Sequence, residues 1–132
     1  MVYLVHRMAK PGRLKINLLI VDNSPLIIER LLGILKEVKT VENFFAAYNY
    51  TGAVAVLVEK QIDVVLLDIQ LPEKNGIDLL KHIVQHYPAT RVVILSNLVS
   101  ENYQRLCKKI GAVHYMDKSK DFDLIPELID AL

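Results

Sequence analysis

Apolar and polar positions along residues 16–132 keep two rhythms that take turns. Short apolar runs at Ile16–Val21, broken only by Asn17, at Val64–Leu67 and at residues 92–95 have the length and branched content of strands buried on both faces. Residues 43–48, which carry aromatics, predict a strand at a sheet edge, and residues 112–116 a fifth strand. Between the runs the spacing turns helical. Ile28, Leu31, Leu32, Leu35 and Val38 share a face of a helix that Ser24 and Pro25 open, with a hydroxyl cap and a proline where no donor is needed. Ile27 and Ile34 fall beside that face as a second apolar ridge, a candidate docking surface. Residues 51–60 contain a continuous apolar run, Ala53 to Val58, that is ambiguous by period; a crossover between parallel strands requires a helix there. Asn75-Gly76 opens a helix with Ile77, Leu80, Ile83, Val84 and Tyr87 inward, stopped by Pro88. Val99, Tyr103, Leu106, Cys107 and Ile110 predict a fourth helix buried along that stripe and ended by Gly111. The last helix, capped by Asp121 or Asp123 and tolerating Pro126, would bury Phe122, Ile125, Ile129 and Leu132. Five strand-then-helix units imply a parallel α/β sheet covered on both faces.

Composition narrows this picture. A chain of 132 residues, 52% hydrophobic and 23% charged, suits one domain with one well-buried core. A formal net charge of +1 provides no global basic field, so neither direct nucleic-acid binding nor membrane association is expected. Residues 1–15 carry Arg7, Lys10, Arg13 and Lys15 with no acid, and Pro11-Gly12 interrupts them; they read as an extension outside a domain of residues 16–132. A single cysteine, Cys107, and the lack of a signal peptide or membrane-length apolar run point to the cytoplasm. His82 and His86 stand one turn apart opposite the apolar face, but no glutamate of the zincin pattern and no third ligand accompany them. They read as a solvated face.

The chemistry is at the strand ends. Asp68 closes the third strand, and a lone strand-end carboxylate is more often structural than reactive. The other strand ends reverse that balance: Asp22 and Asn23 follow the first strand, Ser96 the fourth and Lys118 the fifth, all on one edge of the sheet. Strand order in such folds reverses beside the first strand, so the first and third share a crevice at their carboxyl ends. Two carboxylates and an amide oxygen there suit a hard, oxygen-seeking cation such as Mg2+. A lysine and a hydroxyl opposite suit phosphoryl oxygens. The set reads as a site for phosphoryl transfer onto Asp68, with the cation offsetting the repulsion between a carboxylate and an anionic donor. Ser96 and Tyr115 would then respond to the acyl phosphate, the hydroxyl moving inward and vacating space for the ring.

Four segments carry a family resemblance: Leu-Ile-Val-Asp-Asn-Ser-Pro, Val-Val-Leu-Leu-Asp-Ile-Gln-Leu-Pro-Glu-Lys-Asn-Gly, Val-Val-Ile-Leu-Ser-Asn and Gly-Ala-Val-His-Tyr-Met-Asp-Lys-Ser. In this order they make the chain resemble the receiver domain of two-component response regulators. The resemblance implies a flavodoxin-like (βα)5 fold with strand order 2-1-3-4-5. It implies Asp68 as phosphoacceptor, Asp22 and Asn23 as the metal-binding pair, Gln70 as a Mg2+ ligand through its backbone carbonyl, Ser96 and Tyr115 as switch residues and Lys118 as the site lysine. It further implies a histidine kinase or histidine phosphotransfer protein as donor, slow self-dephosphorylation, and a downstream target or output domain. The face of the fourth helix, fifth strand and last helix, with Tyr115 and Lys120, is where such domains dimerise or meet targets. One departure stands out: the family pairs two acids where this chain has Asp22 and the neutral Asn23, which weakens the expected hold on Mg2+.

Two other readings compete. A haloacid-dehalogenase-type phosphatase also uses a strand-end aspartate and Mg2+, but it needs a second acid two residues on, where this chain has Gln70. A receiver-like interaction domain that no longer cycles phosphate is compatible with Asn23 and disfavoured by the retention of Asp68, Ser96 and Lys118. Any catalysis would be limited to Mg2+-dependent self-phosphorylation and slow hydrolysis of the product.

Overall fold

Each run expected as a strand forms a strand and each stretch expected as a helix forms a helix in the computed structural model, which describes residues 15–132. The basic extension expected at residues 1–15 therefore lies, but for Lys15, outside the described residues. In chain order the elements are β1 (Ile16–Val21), α1 (Pro25–Leu35), β2 (Val41–Ala47), α2 (Tyr50–Glu59), β3 (Val64–Leu67), α3 (Gly76–His86), β4 (Arg91–Ser96), α4 (Glu101–Ile110), β5 (His114–Asp117), a short 3-10 turn (Phe122–Leu124) and α5 (Ile125–Ala131). The strands are all parallel, in the order β2-β1-β3-β4-β5, the flavodoxin-like arrangement expected.

Successive strand residues face opposite sides, so each strand supplies two core layers. Leu19, Val21, Val65, Leu67, Val92 and Ile94 pack beneath α2, α3 and α4 with Ala53, Leu57, Leu79, Leu80, Ile83 and Cys107. Leu18, Ile20, Leu66, Val93 and Leu95 face α1 and α5 through Ile28, Leu31, Leu35, Ile125 and Ile129. Side-chain caps set the helix starts: Ser24 accepts the Ile27 amide at 3.3 Å, Asn49 the Gly52 amide at 2.7 Å, and Asn75 the Ile77 and Asp78 amides at 2.9 and 3.0 Å. The ambiguous run at residues 51–60 is helical, as the crossover demanded.

Several local expectations need correction. The fifth strand starts at His114 because the Ala112 amide is spent closing the C-terminus of α4, on the Cys107 carbonyl at 2.9 Å. Neither Asp121 nor Asp123 caps the last helix; the Asp117 amide donates to the Asp121 carboxylate at 2.8 Å, and a 3-10 turn leads into α5 without a side-chain cap. On α3, Leu79 is fully buried, whereas Ile77, Val84 and Tyr87 are only partly so. The α4 stripe is the largest departure. Cys107 alone on that helix is buried, while Val99 just before it, Tyr103 and Leu106 are 44%, 37% and 42% exposed. Ile27 and Ile34 are half-buried against the α1 layer, and the exposed apolar residue of α1 is Leu26. His82 is also half-buried, edge-on to Tyr50 at 6.1 Å between ring centroids and 4.4 Å from the His86 ring. Burial, then His86 and Lys74, hold its imidazole below its ordinary pKa.

Candidate functional site

Sheet register assembles the site. Val21 of β1 pairs with Leu67 of β3, so the residues that follow, Asp22 and Asp68, leave neighbouring strands side by side. The Asp68 amide donates to the Val21 carbonyl at 3.0 Å, extending the ladder one step past both strands. Across the sheet, Ser96 of β4 pairs with Asp117 of β5, and the Lys118 amide donates to the Ser96 carbonyl at 2.9 Å.

Lys118 then reaches across the crevice. Its Nζ donates to Asp22 Oδ2 at 2.7 Å and to Asp68 Oδ2 at 2.9 Å. The two acids are only 3% and 5% exposed, so without a cation between them their charges would repel across little solvent. Burial pulls the ammonium pKa down, but hydrogen bonds and charge from Asp22 and Asp68 outweigh it and hold Lys118 above its ordinary value. Each carboxylate uses its other oxygen locally: Asp22 Oδ1 accepts the Ser24 amide at 2.9 Å, and Asp68 Oδ1 the Gln70 amide at 3.1 Å. These turns fix both carboxylates in orientation.

Ser96 is completely buried; its Oγ accepts the Leu98 amide at 3.1 Å. The half-buried Tyr115 donates its hydroxyl to the Leu98 carbonyl. One residue of the β4–α4 loop is thus gripped from both sides by the two residues expected to switch. Burial first, then Cys107, pushes the Tyr115 phenol up to about 12, against a lowering hydrogen bond with Ser96.

Asp22, Asp68 and Lys118 therefore meet directly, with Ser96 and Tyr115 joined to them through β4 and the Leu98 loop. Asn23 and Gln70 are exposed at the rim. Gly76 belongs to the site although the pattern marked it only as a helix start. A Cβ there would stand 2.2 Å from the Asp68 carbonyl oxygen and 2.6 Å from the Ile69 Cα, so no larger residue fits without moving the Asp68 backbone. Its amide donates to the Ile69 carbonyl at 2.7 Å, drawing the N-terminus of α3 against the loop.

The donor set fits a hard cation. A carboxylate has about four acceptor positions, and the hydrogen bonds described occupy one on each oxygen of Asp22 and Asp68. Oxygen ligands of this kind, few in number and supplemented by water, are what Mg2+ takes. Among the described residues, no group of three or more His, Cys, Asp or Glu side chains could hold a metal ion.

Comparison with known proteins places this geometry in context. The response regulator receiver domain profile matches residues 18–130. The transcriptional regulatory protein DegU of Brevibacillus brevis is 30% identical over 115 residues, covering 87% of this chain and 49% of that protein. A protein-glutamate methylesterase/protein-glutamine glutaminase of Bdellovibrio bacteriovorus is 36% identical over 107 residues, covering 79% of this chain and 30% of that protein. The chain thus spans about half, or less, of these curated relatives. Among solved structures, a chain of the CheX-CheY-BeF3-Mg complex from Borrelia burgdorferi is 27% identical with a TM-score of 0.81, covering 89% of each chain. A response regulator from Thermotoga maritima, also 27% identical, has a TM-score of 0.78 and covers 89% of this chain and 97% of that one.

Proposed function

This chain belongs to the response regulator receiver domain family, and on that premise we propose that it accepts a phosphoryl group on Asp68 and changes its protein contacts in response. The supporting observation is the buried pair Asp22 and Asp68 bridged by the Lys118 ammonium at 2.7 and 2.9 Å. Two buried acids held side by side by one lysine cost the fold stability and contribute nothing to packing, which suits a site kept for its chemistry.

A carboxylate oxygen of Asp68 attacks the phosphorus of a phosphohistidine. The new O–P bond forms as the P–N bond breaks, and the imidazole leaves with the electron pair and takes a proton from solvent. Lys118 shifts one hydrogen bond from Asp68 Oδ2 to a phosphoryl oxygen and so offsets part of the added charge. Mg2+, held by Asp22, Asp68, the Gln70 carbonyl and Asn23, would supply charge neutralisation and alignment of the transferring oxygens. The acyl phosphate offers acceptors to the Ser96 hydroxyl, which then releases the Leu98 amide. Tyr115, tied to the same residue, follows. The surface that reads this change is the α4–β5–α5 face, where Val99, Tyr103, Leu106 and Val113 are exposed. A downstream protein, an output domain or a second copy would bind there. A histidine kinase or phosphotransfer protein is the donor, and Leu26, 65% exposed beside the site, is the apolar contact that α1 offers it.

Incubation with Mg2+ and acetyl phosphate or phosphoramidate, followed by intact mass, tests the proposal. A gain of one phosphoryl group that Asp68→Asn abolishes is expected. No gain would leave a non-cycling interaction domain, and fast turnover of generic phosphoesters would favour the phosphatase.

A further inference from the structure

The junction of β2 and α2 touches both carboxylate-bearing segments of the site. Ala47, the last residue of β2, accepts the Asp22 amide at 3.1 Å. The first two residues of α2 reach the loop after Asp68: the Thr51 hydroxyl donates to Glu73 Oε1 at 3.3 Å, and the Lys74 ammonium sits 4.9 Å from the Tyr50 ring centroid. That loop needs outside support. Pro72, Glu73, Lys74 and Asn75 are all exposed, and Glu73 has φ 67°, a left-handed conformation that an L side chain adopts at a steric cost. The same loop begins with Gln70, whose amide orients the Asp68 carboxylate.

We propose that Tyr50 and Thr51 are positioning residues for the phosphoacceptor loop, holding Glu73 and Lys74 so that the Gln70 amide stays on Asp68 and its carbonyl stays available to a cation. The cation half of this proposal rests on the function proposed above; the loop half does not. Tyr50 acts through the face of its ring, since its contact with Lys74 is a cation–π contact. Its packing against the α2–α3 core layer needs only apolar volume.

That difference selects the variants. Amide hydrogen exchange of residues 70–76 and calorimetric Mg2+ titration are measured on Tyr50→Leu, Tyr50→Phe, Lys74→Met and Thr51→Val, with exchange of β4 as the control for general loosening. Tyr50→Leu and Lys74→Met are expected to speed exchange in the loop about two- to five-fold and weaken Mg2+ binding by a similar factor, leaving β4 unchanged. Tyr50→Phe, which keeps the ring, restores both, and combining Tyr50→Leu with Lys74→Met adds nothing. Thr51→Val loosens the loop in the same direction. Unchanged loop exchange in Tyr50→Leu, or Tyr50→Phe as defective as Tyr50→Leu, overturns the proposal; so does a rise spread equally over β4. Should Tyr50→Leu not fold, the exposed Lys74→Met carries the test alone. A wild-type protein that binds no Mg2+ would refute the cation half and the function proposed above, while the exchange result still decides the loop half.

Discussion

Replacing Lys118 with methionine isolates the electrostatics of the site. The substitution keeps an unbranched side chain one atom shorter and removes the charge, stranding Asp22 and Asp68 at 3% and 5% exposure. Removing one partner of a buried ion pair costs about 3–5 kcal/mol. A second route gives the same size: neutralising one aspartate at pH 7 against an ordinary pKa near 3.9 costs about 4 kcal/mol, at 1.36 kcal/mol per unit. With a urea dependence of roughly 2 kcal/mol per molar, the unfolding midpoint of Lys118→Met should fall by about 2 M at pH 7 without Mg2+. The pH dependence should change as well. Two carboxylates left facing each other with little solvent are best tolerated when one of them is protonated, so the variant is most stable in acid and loses stability as pH rises toward neutrality. Mg2+ should recover part of the loss by binding the folded state, and adding Asp68→Asn should recover most of it. Urea titrations at pH 5 and pH 7, with and without Mg2+, measure all of this. A midpoint within about 0.3 M of wild type at pH 7, with an unchanged pH slope, would refute the reasoning.

Gly76→Ala places a methyl 2.2 Å from a backbone oxygen that cannot rotate away; a loss of about 3 kcal/mol or more in thermal or urea unfolding is expected, with slower phosphorylation of Asp68. Asn23→Asp adds a charge at the rim and should tighten Mg2+ binding; calorimetry showing equal affinity would count against that role for Asn23. Tyr115 titrates at about 12 in the fold against about 10 unfolded, so its contribution is complete below pH 10 and lost as pH rises toward 12. Tyr115→Phe should flatten alkaline unfolding over that window, leaving the further loss due to Lys118, and at pH 7 cost about 1 kcal/mol for the hydrogen bond to Leu98.

The strands were legible because a parallel strand buried on both faces has no polar positions, as in Val64–Leu67. The convergence of Asp22, Asp68 and Lys118 was legible from strand order alone, since each follows a strand of the same sheet. What period cannot say is what covers a face. The stripe that includes Val99, Tyr103 and Leu106 has correct helical spacing, yet Cys107 is buried against the sheet, Ile110 packs there in part, and these three lie open. Cap residues failed where a competitor was nearer: the Asp121 carboxylate belongs to the Asp117 amide. The role of Gly76 was hidden because Asn-Gly reads as a turn; its close approach to Asp68 exists only once α3 is packed. The signal was the missing side chain, eight positions after the acid, at the mouth of a helix.

Lys118 is separated from Asp22 by 96 positions and from Asp68 by 50. During synthesis, which delivers the amino-terminal part first, both acids emerge long before the residue that neutralises them. Contacts this distant in sequence form late, because chain closure must come before they give any return. On this order of events the two carboxylates gain their shared partner only once β5 has docked, and a half-made chain has the acids without the site. Assembly of the site is tied to completion of the fold, and one ammonium group keeps the time.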